Sequence, residues 1–499
     1  MATVGIRLRD PSLLVRKNYV DGQWVDSASG ATFNVYDPAT GSHLGTCPES
    51  TVEDAEKAIT AAAKAFPSWR SRSGRERARI LRRWYDLLLE NKDDLATIIT
   101  HENGKSKADA TGEVGFAAGF LEWFSEEAAR IYGDVIPHSS SSFRVQVTKE
   151  PVGVCGMITP WNFPAAMITR KLGPALAAGC TAVVKTPGET PFSANALAVL
   201  AERAGVPKGV INIVAALDNT PQIGELLCKS NIIRKISFTG STRVGRLLMA
   251  QSSSTIKKLS LELGGNAPFI VFDDADINLA IKEAVVAKFK SSGQTCVCAN
   301  RIYLQKGIYD QFVKGLVKAV GSFKVGSGHA ADTTHGPLIG PNAVSKVSGL
   351  VEDAVSKGAT VLCGGKTIPA LGPNFFEPTV LTNVNCDMLI ANEEIFGPVA
   401  TIFPFTTEEE VIDAANNTDV GLASYFFTQD VCRATRVAEQ LQSGMVALNS
   451  GVVSDWGTPF GGVKQSGLGR EGSKYGIEDY LQLKTFITGN VPVIHRANI

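Results

Sequence analysis

At 499 residues the chain is too long for one hydrophobic core, so two or three domains are expected. Hydrophobic residues at 44% and charged residues at 20% give the balance of an ordinary soluble globular protein. The formal net charge is zero, which excludes a global pull toward nucleic acid or anionic membrane.

The start, "MATVGIRLRDPSLLVRK", lacks an uninterrupted apolar core and contains Asp10 and Pro11, so no signal peptide is expected. No run reaches the roughly 18 apolar residues of a membrane span, and the tail "HRANI" carries no retention or peroxisomal signal. The expectation is a cytoplasmic enzyme. Nine cysteines spread over this length do not resemble a secreted disulfide framework. The six histidines never pair at i, i+4, so no metal site is read.

In chain order, "STVEDAEKAITAAAKAF" begins with Ser50 and Glu53 as a capping box and places Ala55, Ile59, Ala62 and Phe66 on one helical face. "RSRSGRERARILRRWYDLLLE" looks like a basic arm, but Ile80, Leu81, Trp84, Tyr85 and Leu88 recur at helical spacing, which makes the arginines a solvated face. "SSSSFRVQVTKE" and the tail "DYLQLKTFIT" alternate like exposed strands, which usually need a partner. From Pro151 the pattern changes. "VGVCGMI", "TAVVK", "VINIVA", "KISFTG" and "KLSLEL" read as strands, and helical stretches such as "AAMITRKLGPALAAG" and "TRVGRLLMAQ" lie between them. This alternation predicts a parallel sheet covered by helices, the architecture of dinucleotide binding. After "NAPFIVFDDAD" a second series predicts helix 276–291, strand 301–305, helices 308–320 and 341–357, and the strand "TVLCGG".

In "GQTCVCAN", Cys296 and Cys298 supply only half of a zinc site. A buried structural thiol is the ordinary alternative, but the small polar neighbours Ser291 to Thr295 suit a tight loop that presents sulfur to a cleft, and a nucleophile fits that better. Cys298 is either a partner for a reversible disulfide or a bystander beneath the loop. In "ITPWNFP", prolines on both sides of Asn162 would hold its carboxamide as an oxyanion donor, with the Cys296 N–H as a second donor. A simple turn is the other reading. Glu262, inside the apolar strand of "LSLELGGNAP", reads as a general base whose pKa burial raises, or as a buried paired carboxylate. "FTGSTRVG" follows a strand and opens a helix, so free N–H groups and Ser241 can hold a phosphate while Gly240 and Gly245 allow close approach. "GLGREG", Gly467 to Gly472, follows no strand and is expected to lie far from the alternating sheet, a coincidental match to the dinucleotide fingerprint.

With these motifs in place, the chain resembles an aldehyde dehydrogenase. "PWNFP", "FTGST", "LELGG", "GQTC", "EEIFGPV" and "PFGG" carry the resemblance, which spans almost the whole chain. Within that family it is most similar to succinate-semialdehyde dehydrogenases, by "PWNFPAAMITRK", "GQTCVCAN", "NAPFIVFDDAD" and "GGVKQSGLGREGSKYGIEDY". The resemblance implies an α/β fold with two parallel-sheet lobes, a Rossmann-like NAD(P)-binding domain (1–133 and 153–266) and a catalytic domain (267–474). A β-hairpin bridging element (134–152 and 475–499) would join subunits into a homodimer or homotetramer. It implies Cys296 as nucleophile, Glu262 as base and Asn162 as oxyanion donor. For NAD or NADP it implies contacts at Thr159, Pro160, Trp161, Lys185, Gly188, Thr239, Gly240, Ser241, Gly245, Glu394 and Phe396.

Two departures from the family pattern bear on specificity. Gly188 stands where a carboxylate often chelates ribose hydroxyls and repels a 2′-phosphate, with Glu189 one residue further on, so acceptance of NADP is expected to be relaxed. In the branch's anion clamp of two arginines and a serine, Arg170 and Ser454 match, but Lys290 replaces the second arginine and loses its bidentate fork. The expected reaction is NAD(P)-dependent oxidation of an aldehyde, succinate semialdehyde above all, to an acid. Another acidic or pathway-specific aldehyde, such as glutarate semialdehyde, is the alternative substrate, and a thiol redox sensor built on Cys296 and Cys298 is the alternative of another class.

Overall fold

The computed structural model describes residues 5–492. The opening four residues and 493–499, which include the tail "HRANI" and the end of the expected bridging element, lie outside the described residues.

Apolar runs buried on both faces form the centre of an eight-stranded sheet. Its parallel strands are Val154–Ile158, Thr181–Thr186, Ile211–Ala215, Ile233–Thr239 and Lys258–Glu262. Each of the five strands read from the sequence is present. The second and third lie on one side of Val154–Ile158, the fourth and fifth on the other. The chain therefore reverses direction across the sheet between Val154–Ile158 and Ile233–Thr239, and a ligand crevice opens at their carboxyl ends. The loops there begin at Thr159 and Gly240.

"GLGREG" does not lie far from this sheet. Gly467–Leu468 pairs antiparallel with Lys258–Glu262, with Gly467 opposite Glu262, and forms the sheet's last strand. The sequence pattern missed it because a two-residue strand has no periodicity to read.

The link from Glu262 to the strand Ala267–Val271 is short, 263–266. The chain leaves the first sheet at a carboxyl end and at once enters a second, seven-stranded sheet at an amino end. That sheet holds Ala299–Gln305 and Ala423–Phe427 on either side of Ala267–Val271, all parallel. The carboxyl edge of one sheet thus faces the amino edge of the other. Cys296, just before Ala299–Gln305, and Glu394 and Phe396, just before Val399–Phe405, sit on that facing edge.

A three-stranded antiparallel sheet stands apart, with Arg144–Pro151 between Asp134–Ile136 and Leu481–Thr488. Val135, Leu483, Phe486 and Ile487 are exposed on it. Among the described residues, no helix is long and apolar enough to cross a membrane.

Local details correct the reading in places. The capping box is Thr51 with Asp54, one residue later than expected; Ser50 is buried and accepts a 2.8 Å hydrogen bond from Asn18 instead. Arg77 is no solvated arginine: it is buried and donates to the Ala177 carbonyl at 2.9 Å. The helix expected over 276–291 ends at Phe289, because Ser291 and Ser292 take φ of 50° and 55°, outside any right-handed helix.

Candidate active site

The helix Ile277–Phe289 breaks into a tight loop with three successive left-handed residues, Ser291, Ser292 and Gly293. Such conformations strain non-glycine residues by about 1–3 kcal/mol and persist only when the surroundings hold them. Here Ser292 Oγ donates to the Gly336 carbonyl at 2.7 Å, and Gln294 Oε1 accepts from the Ile339 N–H at 2.9 Å. A Cβ at 293 would stand 2.1 Å from the Gly397 carbonyl oxygen, so glycine alone lets the loop close on the segment after Phe396. The loop delivers Cys296, half-buried, to the wall of a cavity of about 970 Å³. Burial pushes the Cys296 thiol up to about 12 against the pull of the Arg170 guanidinium. Cys298 is buried; its thiol donates to the carbonyls of Gly293 at 3.4 Å and Lys288 at 3.6 Å, beneath the same loop.

Asn162 reaches the cavity from the loop after Val154–Ile158. Its Nδ2 donates to the Gln294 carbonyl at 3.0 Å, which leaves one N–H free two residues from Cys296. The loop is held from behind. Lys105 Nζ donates to the Asn162 carbonyl at 2.7 Å and pairs with Glu113 at 2.6 Å. Glu113 in turn accepts from the Ala165 and Ala166 N–H groups at 2.9 and 3.3 Å, capping a helix whose own N-cap residue has no capping side chain. Sequence reasoning did not find Lys105 or Glu113.

Glu262, the last residue of its strand, is buried at the cavity, and neither carboxylate oxygen has a hydrogen-bond partner among the described residues. Burial raises its pKa well above the ordinary carboxylate range, and the charge of Glu471 adds to that, while Arg170 and Lys171 pull the other way. Glu471 takes the two cations for itself. Arg170 Nε lies 2.5 Å from Glu471 Oε2, and Lys171 Nζ donates to Glu471 Oε1 at 2.5 Å and to Thr239 Oγ1 at 2.7 Å. Burial works to raise the Glu471 carboxyl, but Lys171 and then Arg170 hold it at about 2. Two neighbouring buried carboxylates are therefore driven apart, one ionised and the other, at the cavity, poised to accept a proton. Lys171 and Glu471 escaped the sequence reading. The available signal was a pair of consecutive cations in a helix, Ala166–Ala178, that is buried along its whole length.

On the cofactor side the cavity wall includes Pro160, Trp161, Thr239, Gly240, Ser241, Glu394 and Phe396. Trp161 and Phe396 meet edge to face at 5.6 Å. Ser241 caps the helix Thr242–Ser252 by accepting from the Val244 N–H at 3.4 Å, and so sets that helix's N-terminus at the wall. Burial raises the Glu394 carboxyl to about 7. Four expected contacts lie off this wall. Lys185 is buried at the end of Thr181–Thr186, with burial pressing its ammonium to about 8. Thr159 Oγ1 is buried without a hydrogen-bond partner among the described residues. Gly188 faces Leu217, and a Cβ there would come within 2.7 Å of Leu217 Cδ1; Glu189 lines the wall in its place. Gly245 is glycine for packing, since a Cβ would meet Leu263 at 2.5 Å.

On the far side, Arg170, Lys290 and Ser454 share the cavity with Phe116, Phe163, Trp456 and Phe460. The Arg170 guanidinium lies 4.2 Å over the Phe460 ring, and its Nη2 has no hydrogen-bond partner among the described residues. Lys290 is exposed.

This geometry joins a thiol, an unpaired buried carboxylate and a carboxamide to a dinucleotide-type crevice in one cavity. The sequence matches the aldehyde dehydrogenase family over residues 24–486. The chain belongs to the aldehyde dehydrogenase family. It is 56% identical over 470 residues to succinate-semialdehyde dehydrogenase [NADP(+)] 1 of Schizosaccharomyces pombe, covering 94% of each chain. It is 54% identical to glutarate-semialdehyde dehydrogenase of Pseudomonas aeruginosa, over 97% of this chain and 100% of that one. Among solved structures, succinate-semialdehyde dehydrogenase from Burkholderia pseudomallei superposes with a TM-score of 0.95 at 54% identity, covering 97% of this chain and 99% of the other. As an aldehyde dehydrogenase, the protein carries out NAD(P)-dependent oxidation of an aldehyde.

Proposed function

We propose that this aldehyde dehydrogenase oxidises short aldehydes with a distal carboxylate, succinate semialdehyde to succinate first, through a thioester on Cys296. One observation carries the reading: Cys296, Glu262 and Asn162 line the same cavity as the cations Arg170 and Lys290.

The Cys296 thiol gives up its proton to solvent, its sulfur bonds to the aldehyde carbon, and the carbonyl oxygen becomes an oxyanion beside the second Asn162 N–H and the Cys296 N–H. Bound NAD or NADP would accept the former aldehyde hydrogen as hydride: that carbon–hydrogen bond breaks, the oxyanion's electron pair re-forms the carbonyl, and a thioester on Cys296 is left. Glu262 then takes a proton from water; the water oxygen bonds to the thioester carbon, the carbon–sulfur bond breaks, and acid and thiol are released. Arg170 Nη2, Lys290 and Ser454 hold the distal carboxylate.

The residues fit a dinucleotide. Lys185 has no ion-pair partner among the described residues, Thr159 Oγ1 is unpaired, and a helix N-terminus opens at Ser241. Lys185 would hold the adenosine ribose, Thr239 to Ser241 the phosphates, and Glu394 with Phe396 the nicotinamide ribose. Gly188 and the relative named for NADP support acceptance of NADP, while Glu189 keeps a carboxylate at the wall for NAD. The chain divides accordingly into a cofactor part (1–133 and 153–266), a catalytic part (267–474) and a bridging part (134–152 and 475–499). The apolar side chains exposed on the bridging sheet support assembly into a homodimer or homotetramer.

Glutarate semialdehyde is the second reading. Arg170 is fixed by Glu471, whereas Lys290 is exposed on a flexible stem that can follow a carboxylate one methylene further away. The test measures kcat/KM for succinate semialdehyde, glutarate semialdehyde and a neutral aldehyde of matched length, with NAD and NADP in parallel. The acidic aldehydes should lead by at least tenfold; parity with the neutral one would refute the anion clamp.

A further inference from the structure

Away from the active site, three side chains distant in sequence converge. Asp37 follows the strand Thr32–Tyr36, His101 lies in the last turn of the helix Lys92–Asn103, and His329 sits in the segment between the helices Tyr309–Val320 and Pro341–Ser356. One donor atom from each falls within 4.8 Å of the other two. His101 Nδ1 stands 3.8 Å from Asp37 Oδ2, and the two imidazole rings lie 3.9 Å apart.

From this cluster we infer a site for a first-row divalent cation of the zinc type, held by His101, His329 and Asp37 and open to solvent on the His329 side. His101 Nδ1 is buried and has no hydrogen-bond partner among the described residues, an arrangement that disfavours folding unless something supplies one. Two imidazoles and one carboxylate form the donor set of a three-ligand zinc site with water in the fourth position. Ligands of one tetrahedral zinc stand about 3.3 Å apart, given bonds of about 2.0–2.1 Å, so a small rotation of the exposed His329 closes the set. Asp37 is already oriented, because its Oδ1 accepts from the Ala39 N–H at 2.7 Å. The nearby Lys107 ammonium is drawn off toward Asp93 at 3.2 Å.

The position gives the site a structural task. The segment bearing His329 is pinned to the start of the helix Lys107–Glu127 by the Lys107 N–H, which donates to the Gly328 carbonyl at 2.9 Å. A cation there would tie the Thr32–Tyr36 hairpin, the helix Lys92–Asn103 and the second lobe at one point.

The test uses full-length protein stripped with a chelator, in the native chain and in Cys296→Ala, titrated with Co(II) by visible absorption and with Zn(II) by calorimetry. One equivalent per chain is expected in both backgrounds, with ligand-field bands but no thiolate charge-transfer band. His329→Ala should weaken binding by at least about tenfold. Because His329 is exposed, that variant should keep native aldehyde oxidation, which checks its fold. No saturable binding, binding unchanged in His329→Ala, or a band that vanishes with Cys296 would overturn the site.

Discussion

Arg170 Nε and Glu471 Oε2 meet at 2.5 Å, and this buried contact sets the electrostatic surroundings of Glu262. The negative charge of Glu471 helps hold the Glu262 carboxyl up and keeps two cations from stabilising its ionised form. In Glu471→Gln the Arg170 and Lys171 charges act on Glu262 unopposed, so its pKa falls. The acid-side limb of the kcat profile should then move to lower pH. Two unpaired buried cations should also lower stability by roughly 3–5 kcal/mol, read from denaturant unfolding. An unmoved acid limb would remove Glu262 as the titrating base.

Glu262→Gln should spare the first turnover and slow the rest. Its carboxylate acts on water after the thioester forms, so a pre-steady-state burst of NAD(P)H should survive while steady-state kcat drops by about 10²–10⁴-fold. Cys296→Ala should abolish turnover with dinucleotide affinity nearly unchanged. Retained turnover in that variant would defeat the thioester route.

Lys290→Arg should restore a bidentate fork against the distal carboxylate. A gain of about 1.4 kcal/mol corresponds to a tenfold lower KM for succinate semialdehyde, with neutral aldehydes unaffected. If both substrate classes shift together, Lys290 does not contact the carboxylate.

Gly188→Glu should fail as a simple graft of the family's ribose carboxylate. Its Cβ would press on Leu217 at 2.7 Å, and overpacking of this kind costs about 1–3 kcal/mol. Combined with Leu217→Ala, the new carboxylate should raise the NAD-to-NADP ratio of kcat/KM, measured with both cofactors. A ratio unmoved in the double variant would show that position 188 does not face the ribose.

Phe486→Asp places a charge on the exposed face of Leu481–Thr488. If that face is an interface between copies, sedimentation or light scattering should show a smaller species with its core intact. An unchanged oligomer would put the interface elsewhere.

The strand–helix alternation after Pro151 was legible because periodicity is a local property of the backbone. The nucleophile loop was legible for a related reason: small, polar residues from Ser291 to Thr295 suit a tight loop, and the structure gives Ser291, Ser292 and Gly293 left-handed conformations. Lys171 and Glu471 were not legible. They meet across 300 residues, and "GLGREG" reads as coincidental because its two-residue strand shows no pattern. Gly245 was read as a ligand contact, but only the position of Leu263 reveals its packing role.

The sequence by itself determined the parallel α/β architecture, the family and the candidates Cys296, Glu262 and Asn162, since side-chain chemistry and near-neighbour spacing are written in the chain. Only the tertiary structure decided that Arg170 is tied to Glu471, that Glu262 is left unpaired, and that Asp37, His101 and His329 converge. Burial and charge act through space, and the partners that fix a pKa or complete a ligand set come from whichever segments the fold brings within a few ångströms.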